Sequence, residues 1–409
     1  MNKKILLIFI TGFFSSVIIW ANPVRKTIQS GGFEREYLVY TPQNQQQEKI
    51  RGIIVCLHGF TRTMNDFFEQ YNVSSVADSL NMIMVSPQAL PEQDENVKNI
   101  VGTLNLFSSE QISLNSVWGC GLRVRASFSL LGITILEEEL NKGVDDVGFI
   151  NKLIDNVLDD YSLPSENVFI LGTSMGGYMS YQYALRSGER LSGLISIAGS
   201  MGLSIKGMDY SKKIPVCDFH STTDEVVPYI GYMTQAPINV YLAMSKQSVI
   251  NYWTQTNKTG TPVSEKVDYY PSTNGITVDK ITYPESENEM IHYKMNGSSH
   301  SYFFKKENGD CMDYVEEIMK FIRSHVSDDF NQVRDIMARK AIFYPNPVRD
   351  IIYFETMSGI VSIYDMTGKM IFSQQFSSGQ TDLSFLKAGF YIIKVQSGNT
   401  VRVNQLIKK

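Results

Sequence analysis

Between Asn167 and Tyr178 the chain reads NVFILGTSMGGY, an apolar run that stops at closely spaced glycines around a serine. Val168, Phe169, Ile170 and Leu171 form the continuous apolar run of a strand covered on both faces, and Gly176-Gly177 open a helical pattern through Tyr181 and Leu185. Gly172-Thr173-Ser174-Met175-Gly176 lies between them, so a G-x-S-x-G sequence falls at a strand-to-helix turn. A serine in such a strained turn holds its hydroxyl clear of the sheet, and only residues without a Cβ fit before and after it. Ser174 is therefore the candidate nucleophile, and the backbone N–H of Met175 is a candidate oxyanion donor. The rest of the chain must then supply covering helices, and beyond the serine a carboxylate and an imidazole.

The flanking sequence has the form this requires. Gln29 to Tyr40 reads as an edge hairpin, Gly52 to Leu57 as a short buried strand, Asn65 to Leu80 as a helix, and Met82 to Ser86 as a strand. Asp145 is a good cap for a helix in which Phe149, Ile150, Leu153, Ile154 and Val157 keep helical spacing. Gly193 to Ala198 and Ile214 to Phe219 are further strands. Alternating strands and helices predict an α/β class, a doubly wound, mostly parallel sheet with helices on both faces. The strand Gly52 to Leu57 ends in His58-Gly59-Phe60, where the glycine lets the next amide turn into the cleft; the Phe60 N–H is the second candidate oxyanion donor. Residues 91–143 lose this regularity and read as an excursion, either a wall of the substrate cleft or a surface loop without function.

The acid and the base follow from position. Asp224 stands just past the strand Ile214 to Phe219, where a hydrolase sheet places its orienting carboxylate; Asp218 lies within that strand, and Glu225 is expected to point away. Of five histidines, His58 and His220 come too early, His292 sits in an alternating run, and His325 lies on the last helix. His300 remains, in the loop Asn296-Gly297-Ser298-Ser299-His300-Ser301-Tyr302, giving the order Ser174, Asp224, His300. Acyl transfer by this trio needs no metal or organic cofactor.

A chain of 409 residues exceeds one typical domain. Lys3 and Lys4 precede an apolar run from Ile5 to Trp20 and the small residue Ala21, the pattern of a secretory signal peptide over residues 1–22. The formal charge of -5 gives no basic footprint for nucleic acid. Cys56 and Cys217 fall in apolar strands, where a free buried thiol is expected; Cys120 and Cys311 stand in more polar surroundings, where a disulfide between them is allowed and not required. After a main domain over 23–327 and a charged linker over 328–340, the period changes to short alternating strands at Ile351 to Glu355, Ile360 to Tyr364, Met370 to Phe376 and Phe390 to Val395. Their turns fall at Thr367-Gly368-Lys369 and Ser397-Gly398-Asn399, and the pattern predicts a small C-terminal β-sandwich over 341–409, which contains neither histidine nor cysteine.

Leu57-His58-Gly59, Asp145 to Ile150, Gly172 to Gly177, Asp224 with Val227-Pro228-Tyr229, Trp253 and His300 together resemble the extracellular esterase family that groups polyhydroxybutyrate depolymerases with feruloyl and acetylxylan esterases. The resemblance spans most of residues 25–325 and implies an α/β-hydrolase acting on carboxylic esters. The family often has Gly-Gly-His-x-Trp-Pro around its base, where this chain has Ser298-Ser299-His300-Ser301-Tyr302-Phe303, and often a cysteine soon after the tryptophan, where Asn257-Lys258-Thr259 follow here. Those departures bear on the pocket and the disulfides. Feruloyl or acetyl groups on plant cell-wall polysaccharide are the expected substrates, a hydroxyalkanoate polyester the alternative, with Phe60, Trp118, Tyr229, Tyr302 and Phe303 available to line a cleft. A competing reading is a non-catalytic surface protein that serves carbohydrate binding or adhesion. Tyr344-Pro345-Asn346-Pro347-Val348, Val361 to Asp365 with Thr367-Gly368-Lys369, and Gly389-Phe390-Tyr391 resemble the sorting domain of type IX secretion cargo, which implies the type IX machinery as partner and a secreted or cell-surface location.

Overall fold

The computed structural model describes residues 23–43, 50–105, 112–128, 133–163, 165–203, 213–231, 238–239, 243–284, 288–327, 343–344, 346–354, 358–365, 368–397 and 400–409. The expected signal peptide, the linker over 328–340, Thr367 and the turn residues Gly398-Asn399 lie outside the described residues. The chain divides into a unit that runs to Val326 and another from Ser327 to Lys409.

In the first unit the strands are β1 (Val24–Ser30), β2 (Phe33–Tyr40), β3 (Ile53–Leu57), β4 (Ile83–Pro87), β5 (Arg123–Phe128), β6 (Ile133–Glu139), β7 (Val168–Thr173), β8 (Gly193–Ile197), β9 (Val216–Ser221), β10 (Ile238–Asn239), β11 (Val263–Val267), β12 (Thr277–Tyr283) and β13 (Met290–Asn296). The helices are α1 (Asp66–Glu69), α2 (Ser74–Leu80), α3 (Glu95–Asn105), α4 (Asp146–Asp160), α5 (Met175–Ser187), α6 (Lys246–Asn257) and α7 (Tyr314–His325). A ten-stranded sheet runs in the order β1-β2-β4-β3-β7-β8-β9-β13-β12-β11. From β4 to β13 neighbouring strands are parallel, and each edge carries an antiparallel pair, β1 with β2 and β11 with β12.

The continuous apolar runs have a direct packing explanation. Alternate residues of a strand point to opposite faces, and here both faces are covered. Ile53, Val55 and Leu57 of β3 with Val168 and Ile170 of β7 join one core, which α4, α5 and α6 complete with residues such as Phe149, Tyr181 and Trp253. Ile54 and Cys56 with Phe169 and Leu171 join the other, closed by Phe67, Val76 and Leu80 of α1 and α2 and by Ile318 and Phe321 of α7. The sheet is therefore doubly wound, as the alternation implies.

One expectation is corrected, and two points that the sequence leaves open are filled in. Asn65 to Leu80 is two short helices, because Asn72 takes a left-handed φ of 50° between them. Residues 91–143 contain α3 and two strands of a small antiparallel sheet, β10-β5-β6, whose short strands the loosened pattern concealed. All four cysteines are free and buried, Cys120 in one core and Cys311 in the other, so the two do not form a disulfide. The cap at Asp145 is as expected, its side chain accepting from the Gly148 N–H at 2.8 Å.

In the second unit β14 (Phe343–Tyr344), β15 (Ile351–Phe354) and β18 (Gln380–Asp382) form one antiparallel sheet, and β16 (Gly359–Tyr364), β17 (Met370–Phe376), β19 (Gly389–Ser397) and β20 (Thr400–Lys408) form another. Ile352 and Phe354 of the first meet Val361, Ile363, Ile393 and Leu406 of the second in one core. This is the expected small sandwich; β20, which the sequence reading leaves out, pairs with β19 along its whole length.

Candidate active site

Strand β7 ends in the centre of the sheet and delivers Ser174 at its carboxyl end. The Ser174 N–H donates to the Ile197 carbonyl at 2.8 Å, tying the turn to β8, and the Ser174 carbonyl accepts from the Gly177 and Tyr178 N–H groups at 2.9 and 3.3 Å, starting α5. Its backbone stands at φ 52°, ψ -119°, a region that costs a residue with a side chain on the order of 1–3 kcal/mol. The flanking glycines are required by contact: a Cβ on Gly176 would lie 1.8 Å from the Leu57 carbonyl oxygen, and one on Gly172 2.0 Å from that of Gly176. The absence of a Cβ at Gly176 lets the first turn of α5 press directly on the end of β3.

Asp224 follows β9 and His300 follows β13, strands that pair side by side. Asp224 Oδ1 accepts from the Val226 and Val227 N–H groups at 2.9 and 2.7 Å, and Oδ2 lies 2.7 Å from His300 Nδ1. His300 Nε2 is 2.9 Å from Ser174 Oγ. A carboxylate only accepts, so the ring proton belongs on Nδ1 and the Nε2 lone pair faces the serine hydroxyl. Burial alone would raise the Asp224 carboxyl; the His300 hydrogen bond, the electrostatic pull of the neighbouring His300 and His220 rings and the Val227 N–H outweigh it and hold the group below its usual range. Two further hydrogen bonds pin the loop that carries His300 to the one that carries Asp224: Ser221 Oγ and Thr223 Oγ1 both donate to the Ser298 carbonyl, at 2.6 and 2.8 Å. Glu225 does not point away from the site, since its carboxylate accepts from the His300 backbone N–H at 3.2 Å.

A cavity of about 250 Å³ opens over Ser174 and His300, lined also by Phe60, Tyr71, Tyr178, Tyr302 and Phe303, with Arg62 and Gln70. Met175 and Phe60 both line it beside the serine. Of the expected cleft aromatics, Phe60, Tyr302 and Phe303 are in place, while Trp118 and Tyr229 are not. Trp118 is fully buried under the His58-Gly59-Phe60 loop, its Nε1–H donating to the His58 carbonyl at 2.9 Å, and Tyr229 bonds through its hydroxyl to His292 Nε2 at 2.9 Å. From the excursion over 91–143, Leu122 reaches the cavity wall. His58 is a structural residue: its Nδ1 faces the Gly59 carbonyl at 2.8 Å and its Nε2 accepts from the Ala89 N–H at 3.1 Å. Burial lowers its pKa to about 4, so the ring is neutral and can make both bonds.

Behind the Asp224 loop lies a buried polar cluster that the sequence reading missed. Asp218 accepts from Lys246 Nζ at 2.7 Å, from the Tyr181 hydroxyl at 2.9 Å and from His292 Nδ1 at 2.8 Å. Burial pushes the Asp218 carboxyl up, but the Lys246 charge and the His292 hydrogen bond hold it well below the usual carboxylate range. The signal was available as two polar residues, Asp218 and His292, inside strands that are otherwise apolar; their pairing across β9 and β13 was not. Among the described residues no group of three or more His, Cys, Asp or Glu is arranged to hold a metal ion.

Residues 43–249 match the family described as phospholipase/carboxylesterase, and residues 342–409 match the secretion system C-terminal sorting domain. Similar solved structures include an acetyl xylan esterase from Aspergillus awamori, at 13% identity over 73% of this chain and 99% of that one, with a TM-score of 0.45. An S-formylglutathione hydrolase from Agrobacterium tumefaciens aligns at 12% identity over 74% and 95%, with a TM-score of 0.43. A ferulic acid esterase aligns at 18% identity over 44% and 60%, with a TM-score of 0.30. None of the curated proteins compared matches the chain.

Proposed function

The chain belongs to the phospholipase/carboxylesterase family and ends in a secretion sorting domain, and from that premise we propose that it is an exported esterase with Ser174 as nucleophile. Ser174 attacks the ester carbonyl while His300 takes its proton; His300 then donates that proton to the leaving alcohol, and Asp224 keeps the imidazole in the tautomer the first step needs. The tetrahedral oxyanion is met by the backbone N–H groups of Met175 and Phe60. Water then attacks the acyl-enzyme by the same route in reverse, releasing the acid. The observation that carries this reading is the unbroken chain of contacts from Ser174 Oγ to His300 Nε2 at 2.9 Å and from His300 Nδ1 to Asp224 Oδ2 at 2.7 Å. Ser174→Ala should lose on the order of 10⁴-fold or more in kcat on an aryl acetate while unfolding at the wild-type temperature. A fluorophosphonate probe that labels the wild type and not Ser174→Ala also separates the esterase from a non-catalytic carbohydrate-binding surface protein; an unlabelled wild type with no turnover favours the latter.

The substrate we propose is a feruloyl or acetyl group esterified to plant cell-wall polysaccharide. Phe60, Tyr71, Tyr302 and Phe303 around a cavity of about 250 Å³ suit an aromatic acyl group or a sugar face. A hydroxybutyrate polyester is the second reading, and a preference for hydroxybutyrate oligomers over methyl ferulate and acetylated xylan by more than about tenfold, roughly 1.4 kcal/mol, would select it. The domain plan we propose is a signal peptide over 1–22, an esterase domain over 23–327, a linker over 328–340 and a sorting domain over 341–409 read by the type IX machinery. The mature chain then starts near Asn22 and is processed near residues 328–342; an intact 409-residue chain confined to the cytoplasm would contradict this plan.

A further inference from the structure

The carboxylate of Asp224 meets a second imidazole. His220, in β9, is buried, and its Nε2 lies 3.5 Å from Asp224 Oδ2 and 2.8 Å from the Val227 carbonyl. Its Nδ1 faces the Gly199 carbonyl at 3.1 Å. A neutral imidazole has one proton to place. Nε2 faces two acceptors, one of them a carboxylate, whereas Nδ1 faces a single carbonyl that already takes the Lys246 ammonium at 2.7 Å. The proton therefore belongs on Nε2. Burial, and after it the neighbouring Lys246 charge, lowers His220 to about 4, so Lys246 carries the positive charge here and the ring stays a neutral donor.

We propose that His220 is a positioning residue for the Asp224–His300 pair: its Nε2–H holds the Val227 carbonyl and leans on Asp224 Oδ2, fixing the turn that carries the acid and drawing charge from the oxygen that His300 binds. Val227 is then clamped at both ends, its N–H on Asp224 Oδ1 at 2.7 Å and its carbonyl on His220 at 2.8 Å. The other ionisable groups packed around the pair are Asp218 and Lys246 behind His220, Tyr229, whose ring stands edge-on to it with centroids 5.9 Å apart, and Glu225 on the His300 backbone. Without the His220 donor, Asp224 Oδ2 holds more negative charge, a protonated His300 is favoured, and the base is lost at higher pH.

This inference rests on the serine-esterase reading, and the test separates the two. In His220→Gln the side-chain amide reaches the Nε2 position and keeps a donor there; in His220→Asn it reaches only to Nδ1. The Asn variant should lose about 10–100-fold in kcat on an aryl acetate with KM within about twofold, and the acid limb of its kcat/KM profile should move up by about half a unit to one unit. The Gln variant should stay within about threefold of wild type with the limb in place. Equal profiles for all three proteins, or equal losses in both variants with the limb unmoved, would overturn the inference. ¹⁵N-histidine NMR of the wild-type chain needs no variant: His220 should carry its proton on Nε2 at pH 7, and an Nδ1-protonated ring overturns the assignment. Failure of Ser174-dependent fluorophosphonate labelling in the wild type would instead sink the parent reading, whatever His220 does.

Discussion

Replacing Lys246 by methionine keeps the apolar stem and removes the ammonium that Asp218 faces at 2.7 Å, where both side chains are 1% exposed or less. Asp218 keeps two donors, the Tyr181 hydroxyl at 2.9 Å and His292 Nδ1 at 2.8 Å, but its charge is no longer matched by a neighbouring cation. Breaking a buried pair by removing one partner costs about 3–5 kcal/mol, and the remaining donors place this variant at the lower end, about 3 kcal/mol. With an unfolding entropy of ~2.1 cal/mol/K per residue over roughly 300 residues, that lowers Tm by about 5 °C. Tryptophan fluorescence during urea unfolding is the assay, because Trp118 and Trp253, the two tryptophans after the proposed signal peptide, both precede Ser327 and the signal reports the first unit alone. Asp218→Asn should cost a similar amount, by stranding the ammonium. The double variant should recover at least half of the summed loss, since no buried charge is then left unmatched. A Lys246→Met protein within about 1 kcal/mol of wild type, or a double variant as unstable as the sum of the singles, would refute the argument that this pair is desolvated and mutually dependent.

Gly176→Ala should abolish activity and destabilise the fold by about 3 kcal/mol or more, because its Cβ would enter the Leu57 carbonyl at 1.8 Å and backbone must move; wild-type kcat in the folded variant would count against the described turn. His58 and His220 are both lowered to about 4, so each gives stability that is fully present above the unfolded value near 6.5 and is lost as pH falls from there toward 4, by about 3 kcal/mol each at most. The urea midpoint should therefore fall across that window, and a midpoint that rises on acidification from pH 7 to 4.5 would be inconsistent with two buried neutral rings. With four free, buried cysteines, dithiothreitol should leave Tm unchanged and a thiol reagent should react only on unfolding; a reductant-induced drop in Tm would indicate a disulfide. Deleting residues 342–409 should keep esterase turnover and stop export, read by comparing activity in cells and medium; export of the shortened chain would show that the matched sorting domain is dispensable.

Much of this protein is decided locally and so is legible in the chain itself. The apolar run of β7, the glycines around Ser174 and the cap at Asp145 each report a constraint acting within a few residues: a strand covered on both faces, a turn without room for Cβ, a helix end in need of an acceptor. Chain order and strand ends then offer Asp224 and His300 as candidates, and parallel strands bring their carboxyl ends to one edge wherever the loops between them go, which is where the two side chains meet. Strand order belongs to the tertiary structure. That β13 lies beside β9 depends on burying both faces of both strands, and only this adjacency sets His292 against Asp218 and the His300 loop against the Asp224 loop. The same holds for Trp118, an aromatic in an irregular stretch that suggests a cleft wall until packing buries it beneath His58. His220 is the clearest case: in sequence it is a histidine that comes too early to be the base, and its contact with Asp224 exists only because the turn after β9 folds the acid back over the strand that leads to it.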